Sequence, residues 1–424
     1  MEKVLIITYY WPPAGGPGVQ RWLKFTKYLK DFNIDPVVYV PENPHYPLLD
    51  PSLEEEVPKH VEVVKNRIFE PYSLAKIFSK KETQQISSGI ISEEENQNLI
   101  EKAMLFIRGN FFIPDARKFW IKPSIKFLTE YLQDNEIKTI ITTGPPHSMH
   151  LIGLGLKEEL NIKWIADFRD PWTTIGYHEK LKLTENSQLE HKELERRVLH
   201  KADHLITTSF TTRSEFREMT TTPVTVVTNG YDLETVPKPE MDRKFTVSHI
   251  GSLLSGRNPQ NLWKAMAELI AENAAFSEDF QLRLTGSVGE QVLETIRKAG
   301  LSEHLELNGY VSHRQALKLQ RSSQMLLLIE IDSEETKGII PGKIFEYMVS
   351  QRPILAVGPS GADIKRIITE TNTGKFFEYS EKEQIKTYLL TSYEAFRENN
   401  LTVHPIGLQK YSRKALTGEL AKLL

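Results

Sequence analysis

The chain has 424 residues, which is long for one domain and predicts two or three. Hydrophobic residues make up 40% and charged residues 26% of the chain, so neither a disordered nor a fibrous protein is indicated. The net charge of -3 gives no general attraction for nucleic acid, and the lack of cysteine excludes disulfides, thiolate metal sites and a cysteine nucleophile.

The N-terminal segment MEKVLIITYYWPPAGG begins the first series of predicted elements. Its apolar run, Val4 to Thr8, is too short for a signal peptide and predicts a strand, and apolar spacing over Val19 to Leu29 predicts a helix. In the loop between them, PPAGGPGVQR, Gly15 and Gly16 allow the backbone to approach a ligand closely. Arg21 occupies the third glycine position of a dinucleotide fingerprint, so that motif is absent, and a simple tight turn is the alternative.

The rest of the first half alternates strands with helices or loops, which predicts a parallel, doubly wound sheet. Its strands are predicted at Val37 to Val40, Val61 to Val64, Thr139 to Thr143, Trp164 to Ala166, His204 to Thr207 and Val224 to Val227. The segment of about 70–121 does not fit this alternation and is interpreted as an insertion.

The end of this insertion, 108–122, interleaves Arg and Lys with Phe and Trp. Such a mixture is typical of an element that contacts an anionic membrane surface. The alternative is a buried aromatic core with a solvated basic rim. No stretch approaches the ~20 apolar residues that span a bilayer, so we expect a cytoplasmic protein that either is free or contacts the inner face of the membrane peripherally.

Two polar segments, TTGPPHSMH and ADFRDPW, each follow a predicted strand of the first half. Ligands of open α/β sheets bind at the carboxyl ends of strands, so His147, Asp167 and Asp170 are candidate catalytic residues, with a carboxylate as general base for a hydroxyl group. The alternatives are that Asp170 caps a turn and that Asp167 with Arg169 is structural. His147 and His150 lack a nearby carboxylate or cysteine partner, so no protein-bound metal is predicted.

A linker is predicted over Glu234 to Arg243, where two prolines lie among charged residues. A second strand, loop and helix series then starts with Val247 to Ile250, the loop GSLLSGRNP and a helix over Leu262 to Ile270. The loop places Ser252 near the strand end and Arg257 before the helix, where a guanidinium suits a diphosphate, although a surface arginine is the alternative. Later strands are predicted at Gln281 to Thr285, Leu305 to Leu307, Met325 to Ile329, Ile354 to Val357 and Gly374 to Phe377.

The stretch Gly338 to Met348, GIIPGKIFEYM, places a lysine and a glutamate where a loop enters a helix. Lys343 adds positive charge where the helix end is already positive, which costs stability unless an anion binds there. Glu346, one turn later on the same face, can accept hydrogen bonds from ribose hydroxyls. The alternatives are a solvated lysine and an exposed helix glutamate, but the combination predicts a phosphate and sugar site.

In their order and spacing, GSLLSGRNP, NGYVSHRQAL and GIIPGKIFEYMVSQRPILAVG resemble the nucleotide-sugar domain of family 4 glycosyltransferases, and PPAGGPGVQR resembles their glycine-rich acceptor-side loop. The resemblance covers nearly the whole chain. It implies the GT-B fold, an α/β architecture in which two Rossmann-like, doubly wound domains face each other across a cleft. It further implies metal-independent transfer of a sugar, with retention, from a UDP-, GDP- or dTDP-sugar to a lipid-linked or surface-polysaccharide acceptor, without another cofactor.

Matched residue by residue, the resemblance implies that Arg257 and Lys343 hold the donor diphosphate and that Glu346 binds the ribose. Tyr310 and Val311 are then expected along the nucleobase. The other donor contacts that it implies are the first-domain loop glycines beside the phosphates and two backbone segments near the sugar or β-phosphate, namely Gly15, Gly16, Ile339 and Ile340. The implied domains are an acceptor-side domain over 1–240, a nucleotide-sugar domain over 241–404 and a helix over 405–424 that crosses back onto the first domain.

The chain departs from the family pattern at the expected sugar contact. Members usually carry two glutamates separated by seven residues, but Gly338 stands in the first position, and Glu334 or Glu335 is a substitute only if the loop has another length. Many members also carry an arginine at about Ser252. The segment ADFRDPW stands in place of the catalytic-side histidine of many members. These departures leave two alternatives open, a non-catalytic GT-B-like protein that binds a nucleotide sugar or a partner, and a nucleotide-sugar epimerase.

Overall fold

The computed structural model describes residues 1–70, 99–174, 181–232 and 239–424. They form two compact units, one made of Met1–Thr228 with Arg413–Leu424 and the other of Asn229–Ser412. The second unit begins before residue 241 and ends after residue 404 because its two ends pair, with the Tyr231 amide donating to the Tyr411 carbonyl at 3.1 Å. The predicted linker lies partly outside the described residues, as does most of the predicted insertion.

The first unit is built on a parallel seven-stranded sheet with the order β3-β2-β1-β4-β5-β6-β7. Its strands are β1 Glu2–Ile7, β2 Ile34–Pro41, β3 Glu62–Asn66, β4 Thr139–Gly144, β5 Lys163–Phe168, β6 His204–Thr207 and β7 Val224–Val226. Its α-helices are α1 Pro17–Leu29, α2 Leu99–Phe111, α3 Lys118–Asp134, α4 Ser148–Glu159, α5 Glu185–Lys201 and α6 Phe210–Met219. The central strands are buried on both faces, as their continuous apolar runs require.

Helix α3 shows where the predicted insertion ends. The predicted range includes residues 118–121, but these form the first turn of α3, in which Trp120 is fully buried and stacks on Tyr39 at a centroid distance of 4.8 Å. The buried residues Leu128 and Leu132 continue the same helix face. This helix is therefore the crossover that leads into β4, and the range predicted for the insertion extends too far.

The second unit is built on a parallel six-stranded sheet with the order β10-β9-β8-β11-β12-β13. Its strands are β8 Phe245–Ile250, β9 Phe280–Thr285, β10 Leu305–Asn308, β11 Met325–Ile329, β12 Ile354–Gly358 and β13 Gly374–Glu378. Its α-helices are α7 Gln260–Glu272, α8 Ala274–Asp279, α9 Glu290–Lys298, α10 His313–Ser322, α11 Lys343–Val349, α12 Asp363–Thr371 and α13 Lys382–Arg397. Every predicted strand of both halves is present, and the doubly wound α/β class is confirmed.

The last helix, α14 Arg413–Ala421, belongs to the first unit. Leu416 and Leu420 are buried in the same apolar cluster as Leu23 and Trp22 of α1. A β-carbon at Gly418 would lie 3.1 Å from the ring of Phe32, so glycine permits the close approach of this helix. The chain thus builds part of the first core from its final helix.

Candidate active site

The strand order of the second unit reverses between β8 and β11, which lie side by side at the centre of the sheet. In an open parallel sheet such a reversal leaves a crevice at the carboxyl ends of the two strands, where ligands bind. The loop after β8 carries Arg257, the first residue after β11 is Glu330, and α11 begins with Lys343. The topology therefore brings these three charged side chains to one edge of the sheet.

The charged side chains at this edge are linked through hydrogen bonds. The guanidinium of Arg257 donates from Nη2 to Oε2 of Glu330 at 3.4 Å, and Lys343 Nζ lies 3.3 Å from His249 Nε2. The other ring nitrogen of His249, Nδ1, lies 3.0 Å from the Leu327 carbonyl. Nε2 also lies 3.4 Å from the Ser252 carbonyl. A carbonyl only accepts, and the contact of Nδ1 is the shorter of the two, so we assign the proton to Nδ1, and Nε2 then accepts from the Lys343 ammonium.

Burial and charge adjust the protonation of this group. Burial lowers the pKa of Lys343 to about 8, with Glu330 opposing and Arg257 reinforcing the effect. Burial also raises the pKa of Glu330, while the positive charges of Arg257 and Lys343 oppose that rise. Burial, followed by the charge of Lys343, holds the pKa of His249 well below its usual range, so this ring is neutral. The positive charges of Arg257 and Lys343 therefore both act on the one carboxylate of Glu330. The excess positive charge suits an anion.

Gly251 makes room for the lysine. Its φ is 121°, a backbone conformation that residues with a β-carbon rarely adopt, and an added β-carbon would lie 2.7 Å from Lys343 Nζ. The glycine that opens the motif GSLLSGRNP is therefore favoured by its backbone conformation, and its lack of a side chain leaves room for Lys343.

Glu346 is held on its outer side by α10. Its Oε2 accepts a hydrogen bond from Gln320 Nε2 at 2.9 Å, and its Oε1 lies 4.0 Å from His313 Nε2. The carboxylate side chain is 32% exposed. Glu346 also acts on Lys343, whose pKa its negative charge raises. One oxygen is thus oriented by the protein while the other stays close to the surface.

The other residues predicted for the donor lie on loops of the second unit. Tyr310 is 95% exposed and Val311 is half-buried just before α10. Ile339 is 40% exposed and Ile340 is half-buried in the loop that leads to α11. Ser252 is exposed. The structure brings Arg257 and Lys343 to one charged group. Of these five residues Ser252 contacts it, since its carbonyl lies 3.4 Å from His249 Nε2, and no described contact joins the other four to it.

Neither proposed substitute for the missing family glutamate is held at this site. Glu334 pairs with Lys337 on a short 3-10 helix, and Glu335 is exposed. Gly338 follows on the same loop and is half-buried. The carboxylate that does contact Arg257 is Glu330, which no sequence motif singled out.

Asp167 of the first unit has a structural environment. Its carboxylate is fully buried and accepts hydrogen bonds from Arg21 Nη2 at 2.8 Å, Trp22 Nε1 at 2.8 Å and Thr143 Oγ1 at 2.9 Å. Burial opposes ionisation, but Arg21 and these hydrogen bonds outweigh it and lower the pKa of Asp167. Both oxygens are engaged, which favours the structural alternative, while the catalytic role of Asp167 stays a prediction.

The other two catalytic candidates lie in different settings. The imidazole of His147 is buried and stacks on the Trp172 ring at a centroid distance of 4.7 Å. Asp170 is exposed two residues after β5. The neighbouring His150 is fully buried, and burial lowers its pKa to about 3, so it is a neutral core residue.

Arg169 contacts the first turn of α1, directly after the glycine-rich loop. Its guanidinium donates to the Gly18 carbonyl at 2.8 Å and to the Gly144 carbonyl at 3.3 Å. The Gly15 amide already donates to the Leu48 carbonyl at 3.0 Å, so it is not available to bind a phosphate as expected. Gly16 has a φ of 96°, which favours glycine at the start of this helix.

Glu330, His249 and Gln320 were missed because charged and polar residues beside apolar runs are usually exposed. Glu330 directly follows the strand MLLLI, and that position was the one available signal. Their partners lie far away in sequence, so their burial follows from packing. Among the described residues, no group of three or more His, Cys, Asp or Glu side chains is arranged to hold a metal ion.

No family model matches the chain, and the search of curated proteins gives no match. Solved structures are similar over its full length. HepE of Anabaena, solved with UDP and glucose, has a TM-score of 0.58 at 14% identity, with 100% of this chain and 99% of HepE covered. The lipopolysaccharide outer core galactosyltransferase WaaB has a TM-score of 0.58 at 12% identity, with 100% and 99% covered. A provisional UDP-N-acetylglucosamine 2-epimerase from Listeria monocytogenes has a TM-score of 0.51 at 13% identity, with 99% and 94% covered.

At these identities the similarity shows the fold alone. The chain has the GT-B fold, with two Rossmann-like α/β units, as the resemblance of its motifs implied.

Proposed function

We propose that the chain is a glycosyltransferase that transfers a sugar with retention, and without a metal ion, from a nucleotide diphosphate sugar to an acceptor hydroxyl. The observation that carries this proposal is the pair of cations at the switch point of the second sheet, where Arg257 pairs with the buried Glu330 and Lys343 lies within range of the same carboxylate's charge. Their excess positive charge complements a diphosphate. The GT-B fold, shared with a structure solved with UDP and glucose, supports the same function.

The proposed role of the two cations is to assist departure of the nucleoside diphosphate. As the bond between the sugar and the β-phosphate breaks, negative charge grows on the phosphate oxygens, and Arg257 and Lys343 stabilise it. Glu346 accepts hydrogen bonds from the ribose. In a retaining transfer the departing phosphate can take the acceptor proton, and Asp170 is the proposed base if a protein group is used.

The other proposed donor contacts keep the roles that the resemblance gives them. Tyr310 and Val311 lie along the nucleobase, and the backbone of Ile339 and Ile340 approaches the sugar or the β-phosphate.

A panel of UDP-, GDP- and dTDP-sugars tests the function directly. We expect slow hydrolysis of one donor, and transfer when an acceptor is supplied. Lys343→Met should lower turnover by about 10²-fold or more, because a donor aimed at developing charge is lost. Lys318→Met, the same change on the exposed face of α10, should leave it unchanged. Binding without turnover would indicate a non-catalytic protein, and a new sugar isomer would indicate an epimerase.

Asp170→Asn tests for a protein base. If Asp170 accepts the acceptor proton, turnover falls by about 10²-fold or more while donor affinity, measured by calorimetry, is kept. Equal losses of turnover and affinity would instead indicate a structural side chain.

We also propose that the acceptor is a lipid-linked or surface-polysaccharide intermediate, reached at the inner face of the membrane. An aromatic face of the first unit supports this, since Phe69, Phe106, Phe111 and Phe119 are each between 41% and 63% exposed. The rings of Phe69 and Phe119 pack edge to face at 5.6 Å, and basic side chains flank them at Lys118, Lys122 and Lys126. Within the described residues, no helix is both long enough and apolar enough to cross a bilayer.

Vesicle co-sedimentation tests this face. We expect binding to vesicles that contain phosphatidylglycerol, weaker binding at high salt, and little binding to phosphatidylcholine alone. Replacing Phe111 and Phe119 together by serine should abolish it. Leu189→Ser, at a leucine that is 58% exposed elsewhere in the first unit, is the matched control. Unchanged binding by the double variant would contradict the membrane contact.

A further inference from the structure

We propose that Glu330 is a positioning residue, which holds Arg257 in place and favours the charged form of Lys343 for an incoming diphosphate. This proposal rests on the proposed function, because that function assigns the two cations to the donor. Glu330 itself is not placed against the donor. Its side chain is 3% exposed, whereas that of Arg257 is 25% exposed.

The backbone of Glu330 is fixed from two sides. Its amide donates to the Val357 carbonyl of β12 at 2.9 Å, and its carbonyl accepts from Tyr379 Oη at 2.6 Å. The Tyr379 carbonyl in turn accepts from Asn261 Nδ2 of α7 at 2.8 Å. A carboxylate on so constrained a backbone has little freedom to follow Arg257, so Arg257 must orient toward it.

The carboxylate also offsets a repulsion. Arg257 and Lys343 are both half-buried, and the charge of Arg257 disfavours the charged form of Lys343. A buried carboxylate is itself costly unless it is paired and hydrogen-bonded, and Arg257 supplies that partner at 3.4 Å. The three groups therefore stabilise one another before any ligand arrives. A diphosphate then meets two cations that are already in place.

The groups around Lys343 determine how it titrates. They are Glu330 after β11, Arg257 before α7, Glu346 on its own helix and the neutral His249 of β8. Burial and Arg257 lower its pKa, while Glu330 and Glu346 raise it. Removing the charge of Glu330 leaves Glu346 as the one charged group of this set that favours the ammonium.

The first test needs no donor. In Glu330→Gln we expect the pKa of Lys343 in the free protein to fall by about one unit or more, as loss of a neighbouring opposite charge requires. It is measured by NMR titration of 13C-labelled lysine, with the Lys343 signal assigned from its loss in Lys343→Met. Asp332→Asn, which removes an exposed carboxylate two residues further along, should leave the titration unchanged. An unchanged Lys343 titration in Glu330→Gln would overturn the proposal.

The second test uses UDP and calorimetry from about pH 6 to about pH 10. If UDP binding needs the charged form of Lys343, it weakens as the pH rises above the pKa of Lys343 in the UDP-free protein. This pKa is about 8 in the native chain. In Glu330→Gln this weakening should begin at a pH about one unit or more lower. Glu330→Asp keeps the charge and should keep the native profile, and a shift as large as that of Glu330→Gln would contradict the proposal.

The two tests separate this inference from the proposed function. If the native chain binds none of UDP, GDP and dTDP, the proposed function fails, while the lysine titration still decides the role of Glu330. If the native chain binds UDP and Glu330→Gln keeps both the titration and the pH profile, the positioning role fails alone. Circular dichroism of each variant identifies loss of folding. If Glu330→Gln does not fold, the lysine titration and the pH profile of Glu330→Asp decide the role of Glu330.

Discussion

Asp167 joins three parts of the first unit through one carboxylate. It lies on β5, its guanidinium partner Arg21 lies on α1, and Thr143 of the neighbouring β4 donates to the same group. Arg21 also donates to the Thr228 carbonyl at 3.0 Å. The helix and the two strands are therefore fixed to one another at the carboxyl end of the sheet.

Removing the negative charge of Asp167 should lower the stability of the fold. Asp167→Asn leaves the Arg21 guanidinium buried without its counter-ion, and we expect the free energy of unfolding to fall by about 3–5 kcal/mol at neutral pH. Urea unfolding measures it. Glu193→Gln, which removes a carboxylate from an exposed ion pair with Arg196, should have little effect. Donor turnover lost without lost stability would support the catalytic interpretation of Asp167.

The ion pair between Asp167 and Arg21 makes the free energy of unfolding depend on pH. The pKa of Asp167 is lowered by folding, so its stabilisation is complete above the ordinary aspartate pKa of about 4 and is lost as the pH falls through the lowered value. The stability difference between the native chain and Asp167→Asn should therefore shrink in acid. A difference that stays constant down to about pH 2 would contradict the assignment.

At the scale of elements, strands were more predictable than their connections. An apolar run such as Met325 to Ile329 predicts a strand by composition alone, because both faces of a parallel sheet are buried. Arg257 and Lys343 were also predictable, since each lies in a loop motif at a helix start. The partners Glu330 and His249 were not, because the sequence does not show which polar residues long-range packing will bury. The same limit applies to Asp167, whose ion pair spans much of the first unit.

The contribution of helix α14 to the stability of the first unit can be measured by substitution. Leu420 is fully buried in the core of the first unit, and Leu420→Ala should lower the free energy of unfolding by about 2–5 kcal/mol. Trp22 lies in the same cluster, so tryptophan fluorescence during urea unfolding reports the change. Leu423→Ala, at a partly buried position, should cost less. Equal effects of the two substitutions would mean that α14 does not complete this core.

At the scale of the whole molecule, each unit has its own apolar cluster and its own sheet. The two ends of the second unit pair with each other, as Tyr231 forms a parallel bridge with Ser412. A segment that closes on itself in this way and has a complete core is expected to fold alone.

We therefore expect residues 229–412, produced as a separate chain, to fold and to bind a nucleoside diphosphate. Circular dichroism with thermal unfolding checks the fold, and calorimetry with UDP, GDP and dTDP checks the binding. The matched control is the same segment with Lys343→Met, which should fold and not bind. A folded segment that binds no diphosphate while the full chain does would show that the first unit supplies essential contacts.

The return of α14 to the first unit has a consequence for protein synthesis. Leu416 and Leu420 are translated only after the entire second unit, at roughly 5–20 residues per second. Until then the nascent first unit lacks part of its core, and the part of α1 that Leu416 and Leu420 cover is exposed on the ribosome. The second unit can fold first, against the usual order in which N-terminal domains lead. Chains that terminate early would consequently carry an exposed apolar surface, which chaperones and proteases recognise.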